Sequence, residues 1–163
     1  MRVGIGYDIH RLITGRHLVL GGVQIPFEKG LLGHSDADVV THAIMDSLLG
    51  AAGLKDIGTH FPPGDPLYKN ISSLVLLDEV KKLIAAKGFK INNIDAVIIA
   101  EQPKIAPFIN AMRQRLSHTL DIAMEQLMVK ASTNDTLGSI GNGQGIAAYA
   151  IATLEQASTR EQL

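Results

Sequence analysis

The chain has 163 residues, 46% of them hydrophobic and 19% charged, with 15 Lys and Arg against 16 Asp and Glu. That balance describes one globular domain, expected over residues 1–163; it offers no basic footprint for nucleic acid and no apolar run of membrane-spanning length. Cysteine is absent, which excludes disulfides and leaves His, Asp and Glu to hold any metal.

Structure is predicted to begin at once, without the apolar segment of a secretory signal, so a cytoplasmic protein is expected. Residues 2–10 alternate, with Val3, Ile5, Tyr7 and Ile9 on one side and Arg2, Gly4, Gly6, Asp8 and His10 on the other, which predicts a half-buried strand. Gly4 and Gly6 leave the second face open to close approach. Asp8 and His10, two residues apart, fall on the same face and can share one cation; the plainer alternative is an ordinary polar strand end. Arg11 to Glu28 reads as a hairpin, with His17-Leu18-Val19-Leu20 and Val23-Gln24-Ile25 on either side of a Gly21-Gly22 turn, and residues 29–33 as a glycine-bearing loop.

A helix is expected next. Ser35 stands at the N-cap position with Asp38 three residues on, and Gly53 marks the stop. Asp38, His42 and Asp46 recur at i, i+4 and i+8 on one face, while Val40, Ile44, Ser47, Leu48 and Ala51 form a separate apolar face. Alone, the polar stripe reads as solvated surface. Beside Asp8 and His10, however, His42 completes two imidazoles and a carboxylate, a common catalytic zinc set that leaves one coordination position open. His34 and Ser35 precede the helix, where backbone N–H groups favour an anion such as phosphate; the alternative is that Ser35 only caps and His34 is solvated.

Residues 55–66 are rich in Pro and Gly without periodicity, the mark of a rigid functional loop. A second helix is predicted over residues 72–87, with Leu76, Val80, Leu83 and Ile84 inward, followed by a buried strand over 95–100. A third helix spans about 105–120 around Phe108, Met112, Leu116 and Leu120, and residues 127–132 alternate as a strand. Gly141-x-Gly143 lacks the third glycine of a dinucleotide-binding loop. The last segment, 146–154, suits a helix by its alanines and a strand by its alternation. Three helices against a mixed β-sheet make an α/β fold, an α+β two-layer sandwich.

The ordered motifs Gly4-Ile5-Gly6-Tyr7-Asp8-Ile9-His10, Gly33-His34-Ser35-Asp36-x-Asp38 with His42, Asp56-Ile57-Gly58, Phe61-Pro62, Pro103-Lys104 and Lys130-Ala131-Ser132-Thr133 before Leu137-Gly138 resemble one family over essentially the whole chain. That family is 2-C-methyl-D-erythritol 2,4-cyclodiphosphate synthase of the non-mevalonate isoprenoid pathway. The resemblance implies a homotrimer with active sites between subunits, and it makes the last segment a strand. A positive mean hydropathy of +0.17 suits subunit contacts. The implied reaction cyclises 4-diphosphocytidyl-2-C-methyl-D-erythritol 2-phosphate with loss of CMP. By the same resemblance Asp8, His10 and His42 hold Zn²⁺, and His34 and Thr133 are catalytic. Asp135, where the family has glutamate, would hold a second ion, Mg²⁺ or Mn²⁺. The methylerythritol and its phosphates would meet Asp8, His10, His34, Ser35, Asp56, Ile57 and Gly58, then Phe61, Pro62, Pro63, Gly64 and Asp65. Cytosine would be cradled by Ala100, Glu101, Gln102, Pro103, Lys104, Ile105 and Ala106, with Ala131, Ser132, Thr133, Asn134 and Asp135 toward the phosphates. Ser139 and Asn142 stand where the family usually has an aromatic residue and an arginine, and no role passes to them. Two rivals to this reading are a zinc-dependent phosphohydrolase and a non-catalytic trimeric metal-binding module.

Overall fold

The structure is a computed structural model that describes residues 1–157; the remainder of the expected domain, 158–163, lies outside the described residues. Five strands form one sheet in the order β4-β1-β7-β5-β6, where β1 is Arg2–Thr14, β4 Lys29–Leu31, β5 Phe89–Ile99, β6 Leu127–Ser132 and β7 Gly145–Gln156. Only β5 and β6 pair in parallel; the other pairs are antiparallel. β2 (Leu18–Leu20) and β3 (Val23–Ile25) make the expected hairpin, with Gly21 and Gly22 both at positive φ as that two-residue turn requires. Three long helices follow the predicted spans: α1 (Val39–Ala52), α3 (Ser73–Ala86) and α4 (Ile109–Leu120). Two single-turn helices, α2 (Ile57–His60) and α5 (Gly138–Gly141), lie in the loops.

α1 packs across β1 and β7, α3 lies against α1 and β5, and α4 covers β6. The seat for α1 is made of residues with almost no side chain. Gly4 pairs with Ala152 and Gly6 with Ala150 in the sheet register, and the next row is Asp8 with Ala148. A Cβ built on Gly6 would stand 1.9 Å from the Ala43 carbonyl oxygen, and one on Gly4 2.0 Å from that of Ser47. Helix backbone therefore rests on strand backbone, and α1 is buried on nearly every side, from Val39 to Ala52.

Several sequence expectations change here. β1 is half-buried as expected, and the covered side is the glycine face, which meets α1, while Val3, Ile5, Tyr7 and Ile9 are exposed by 42–69%. The close approach expected at Gly4 and Gly6 is the approach of α1. Residues 29–31 are strand β4 rather than loop, paired with Leu12–Thr14. The strand expected over 95–100 starts earlier, at Phe89, and only alternate residues such as Ile94, Ala96 and Ile98 are buried. The final segment is a strand, central in the sheet.

The start of α1 also differs. Its N-cap is Asp38, not Ser35. Asp38 is fully buried and belongs to no solvated stripe. Its carboxylate accepts from the backbone N–H groups of Thr41 (3.1 Å), Gly21 (2.8 Å) and Gly22 (2.7 Å), and from the Thr41 hydroxyl (2.7 Å). One side chain thus caps α1 and ties the β2–β3 turn to it.

Candidate active site

Asp8 and His10 leave β1 on the α1 side, one beyond the other after the glycines, and His42 comes down from the first turn of α1 to meet them. Asp8 Oδ2 lies 2.8 Å from His42 Nδ1 and 3.1 Å from His10 Nε2. One donor atom from each residue fits within 4.8 Å of the others, and among the described residues this is the one such group of three His, Asp or Glu side chains. Burial pushes the Asp8 carboxyl up, but the hydrogen bonds to His10 and His42 outweigh it and hold the group well below the usual carboxylate range. The Asp8 hydrogen bond raises His10 in turn, against the opposing effect of burial.

Each imidazole is oriented from behind. His10 Nδ1–H donates to the Leu32 carbonyl at 2.5 Å, which turns Nε2 toward Asp8. That carbonyl is in place because β4 pairs with β1 and the Leu32 N–H donates to Arg11 O at 2.8 Å. His42 donates through Nε2 to Ser73 Oγ at 2.8 Å, and Ser73 Oγ–H donates to Asp36. Asp8 Oδ2, His10 Nε2 and His42 Nδ1 therefore converge, and the protons that the two ring nitrogens share with Asp8 are those a bound metal would displace, freeing one oxygen and two nitrogens as ligands. That is the ligand set of a catalytic zinc centre with one position free, so the residues fit the ion.

Residues 33–38 pass over this cluster in a tight turn. Ala37 takes φ +58°, a left-handed conformation that costs a non-glycine residue about 1 kcal/mol or more, and Gly33 has no room for a Cβ beside Ala37 and the His10 ring. Arg16 holds the turn from outside, donating to the carbonyls of Gly33 (3.0 Å) and Ser35 (2.8 Å). Ser35 Oγ accepts from the Ala37 N–H at 3.2 Å and lies 3.4 Å from His42 Nε2, so it faces the cluster and does not cap α1. His34 is half-buried, and its Nε2–H donates to the Asp65 carbonyl at 2.8 Å, fastening the 61–65 loop over the site.

The opposite wall is α2. Asp56 caps it, accepting from the Thr59 N–H at 2.8 Å, while Asp46 of α1 accepts from the Ile57 N–H at 2.8 Å. Together these parts enclose a cleft of about 230 Å³ lined by Asp8, His10, His34, Ser35, His42, Ile57, Gly58, Phe61, Pro62 and Pro63. Tyr68 and Leu76 complete the lining, and Tyr68 meets the Phe61 ring edge-on at 5.5 Å. Sequence reasoning missed both, as it missed Asp36, Ser73, Arg16 and the Leu32 carbonyl. A larger open depression of about 580 Å³ lies between α3, β5 and the end of α4, but its lysines 81, 82 and 90 are paired with Asp78, Glu79 and Glu155.

The remaining expected residues are elsewhere in the chain. Asp8, Ala148, Ile98 and Ala131 form one row across β1, β7, β5 and β6. Three strand spacings separate the ends of that row by roughly 14 Å. Residues 100–106 and 131–135 form their own cluster at the far edge. Ala100 N–H donates to Ser132 O at 3.0 Å, and Glu101 Oε1 accepts from Asn134 N–H at 2.7 Å. Thr133, Asp135 and Lys104 are exposed, and Asp135 and Thr136 take successive positive φ values of 49° and 62°.

The YgbB family profile matches residues 1–155. A 2-C-methyl-D-erythritol 2,4-cyclodiphosphate synthase of Desulforamulus reducens is 58% identical over 156 residues, covering 96% of this chain and 99% of that protein. Among solved structures, the bifunctional IspDF of Campylobacter jejuni superposes with a TM-score of 0.92 at 40% identity, covering 95% of this chain and 42% of that one. The Plasmodium falciparum IspF in its CDP complex gives 0.85 at 37% identity, covering 96% and 97%. By a profile match along nearly its whole length and a relative of this identity, the chain belongs to the YgbB family of 2-C-methyl-D-erythritol 2,4-cyclodiphosphate synthases.

Proposed function

We propose that the chain converts 4-diphosphocytidyl-2-C-methyl-D-erythritol 2-phosphate to 2-C-methyl-D-erythritol 2,4-cyclodiphosphate and CMP. An oxygen of the 2-phosphate attacks the β-phosphorus, and the bond from that phosphorus to the oxygen retained by CMP breaks. The attacking phosphate is already anionic near neutral pH, so no protein nucleophile is needed and catalysis rests on positioning and charge neutralisation. The observation that carries the reading is the convergence of Asp8, His10 and His42 at the floor of a cleft walled by His34, Ser35 and residues 57–63. These three residues would hold zinc, which when bound supplies Lewis-acid polarisation of a phosphate. His34 and Ser35 orient the phosphate chain from the turn above, and the loop that His34 pins through Asp65 excludes water from the methylerythritol side.

The cytosine and phosphate contacts of residues 100–106 and 131–135 are supplied to this cleft by a neighbouring copy in a homotrimer. Two features support that assembly. One chain keeps its two clusters at opposite sides of the sheet, and its helix-free sheet face carries Val3, Ile5, Tyr7, Ile9, Met128, Tyr149 and Ile151 exposed by 42–69%. An apolar surface of that kind is what a subunit interface buries. No described helix is long and apolar enough to cross a membrane.

Incubation with substrate, Zn²⁺ and Mg²⁺ should yield CMP and cyclodiphosphate together; free phosphate instead would identify a phosphohydrolase, and no turnover a silent metal-binding module. Removing one of three ligands, His42→Ala should abolish stoichiometric zinc and lower turnover by at least about 100-fold. Full zinc content in that variant would sink the ligand assignment. At the second metal, Asp135 is one methylene shorter than the family's glutamate, roughly 1.5 Å of reach. Asp135→Glu should lower the Mg²⁺ concentration for half-maximal rate by a few-fold, and Asp135→Asn should raise it, since Mg²⁺ demands near-ideal geometry. Unchanged Mg²⁺ dependence in both variants removes Asp135 from that role.

A further inference from the structure

We infer that Asp36 and Ser73 are positioning residues that lock His42 in its metal-facing tautomer and so set how tightly the cluster holds zinc. The inference rests on the zinc reading above and concerns residues that touch neither the ion nor the substrate. Ser73 Oγ lies 2.8 Å from His42 Nε2. A serine hydroxyl has one proton to give, and here it is spent on Asp36 Oδ1, a carboxylate oxygen with none to return. Ser73 can therefore only accept from His42, and Nε2 carries the hydrogen. With Nε2 holding its hydrogen, the proton a metal must displace is the one Nδ1 shares with Asp8 Oδ2, 2.8 Å away, and its loss leaves Nδ1 bare on the cluster side.

Asp36 is itself held at a helix terminus. Ser72, at the N-cap of α3, makes no side-chain cap bond, and Asp36 takes that place from across the turn, its Oδ2 accepting from Ser73 N–H at 2.9 Å. The N-terminal end of a helix favours the charge, so α3 holds the carboxylate and the carboxylate holds the hydroxyl. Asp36 Oδ1 also accepts from Asp38 N–H at 3.3 Å, and the Asp36 N–H donates to Ile71 O at 3.1 Å. Ser73 is fully buried and His42 nearly so, which keeps water from replacing a lost partner. Ser35 Oγ, at 3.4 Å from the same ring nitrogen, is the weaker contact. The two imidazoles thus differ. His10 leans on a main-chain carbonyl that no substitution removes, whereas His42 leans on two side chains 31 and 37 residues from their partners.

The test is zinc affinity of the full chain, measured by competition with a chromogenic chelator, with circular dichroism to confirm the fold. Ser73→Ala should weaken zinc by 10- to 100-fold, the usual cost of losing such an outer contact. Ser73→Thr keeps the hydroxyl and should stay within about threefold of the native chain. Asp36→Asn should weaken zinc at least as much as Ser73→Ala. Its new amide donates to Ser73 Oγ, which drives the serine proton onto Nε2 and leaves the ring proton on Nδ1, facing Asp8. Zinc bound by Ser73→Ala or Asp36→Asn as tightly as by the native chain overturns the lock. Ser73→Ala preserves the Asp36 bond to the backbone of α3 and decides alone if Asp36→Asn does not fold. A native chain that binds no zinc overturns the metal reading itself, a result distinct from native binding that Ser73→Ala leaves unchanged.

Discussion

Strand β1 has two unlike faces. Gly4, Gly6, Asp8 and His10 lie under α1, and Val3, Ile5, Tyr7 and Ile9 stand on the side no helix covers. Area alone would favour burying the branched and aromatic set, at roughly 25 cal/mol for each Å² of apolar surface. Backbone geometry decides otherwise within one chain. Only a face without side chains lets the Ala43 and Ser47 carbonyls of α1 come within van der Waals contact of the strand, and that close crossing brings His42 down to Asp8. The glycine face thus shapes the cluster of Asp8, His10 and His42. The branched face is left with apolar area exposed, which the proposed assembly would bury, and Tyr7 and Tyr149 meet there with ring centroids 4.7 Å apart and planes tilted by 39°.

Breaking the closed face should have the largest effect. Gly6→Val puts a Cβ where the Ala43 carbonyl oxygen is 1.9 Å away, and that oxygen belongs to helix backbone that cannot turn aside. We expect a loss of more than about 4 kcal/mol, or no soluble folded chain, by urea unfolding. A Gly6→Val protein within 1 kcal/mol of native would mean that α1 does not sit so close. The open face should respond differently. Ile5 is 69% exposed, so Ile5→Asp should alter the stability of the isolated chain by only about 0.5 kcal/mol while dispersing the trimer we propose. Sedimentation that still finds trimers at micromolar concentration would place the subunit contact elsewhere.

The contrast also explains what could be read from residue order. Parity along β1 put Asp8 and His10 on one face, and Gly21-Gly22 declared a hairpin, because both signals are local. Parity cannot say which face a helix will cover, so the half-burial of β1 was legible and its sense was not. Ser35 mimicked a cap because its spacing to Asp38 is that of a capping box; Asp38 took the position by accepting four hydrogen bonds, two of them from a turn 16 and 17 residues away. Three-residue β4 is too short to show a period, yet it delivers the carbonyl that orients His10. The Ser73 and Asp36 contacts link distant segments and left no local pattern. The far cluster at 100–106 and 131–135 could be assigned by resemblance alone, since its row in the sheet ends three strands from Asp8.

The smallest expected effect sharpens the closed face electrostatically. Asp46 sits one helical turn beyond His42, half-buried, where its carboxylate accepts the Ile57 N–H that starts α2. Burial pushes its pKa up; the Ile57 hydrogen bond opposes this, and the charges of Asp56 and Asp8 add to the rise. For an acid whose folded pKa is raised above the unfolded value of about 3.9, the folded state is the better proton binder. That contribution to stability is complete below pH of about 3.9 and is lost as pH rises through the folded value, so at neutral pH the charged carboxylate is a mild burden. Asp46→Asn keeps an oxygen for the Ile57 N–H and removes the charge. Its urea midpoint, relative to that of the native chain, should therefore be higher at pH 7 than at pH 4, by an amount worth less than about 1 kcal/mol. A difference that grows toward acid instead would show that the Ile57 hydrogen bond, not burial, governs Asp46 in the folded chain.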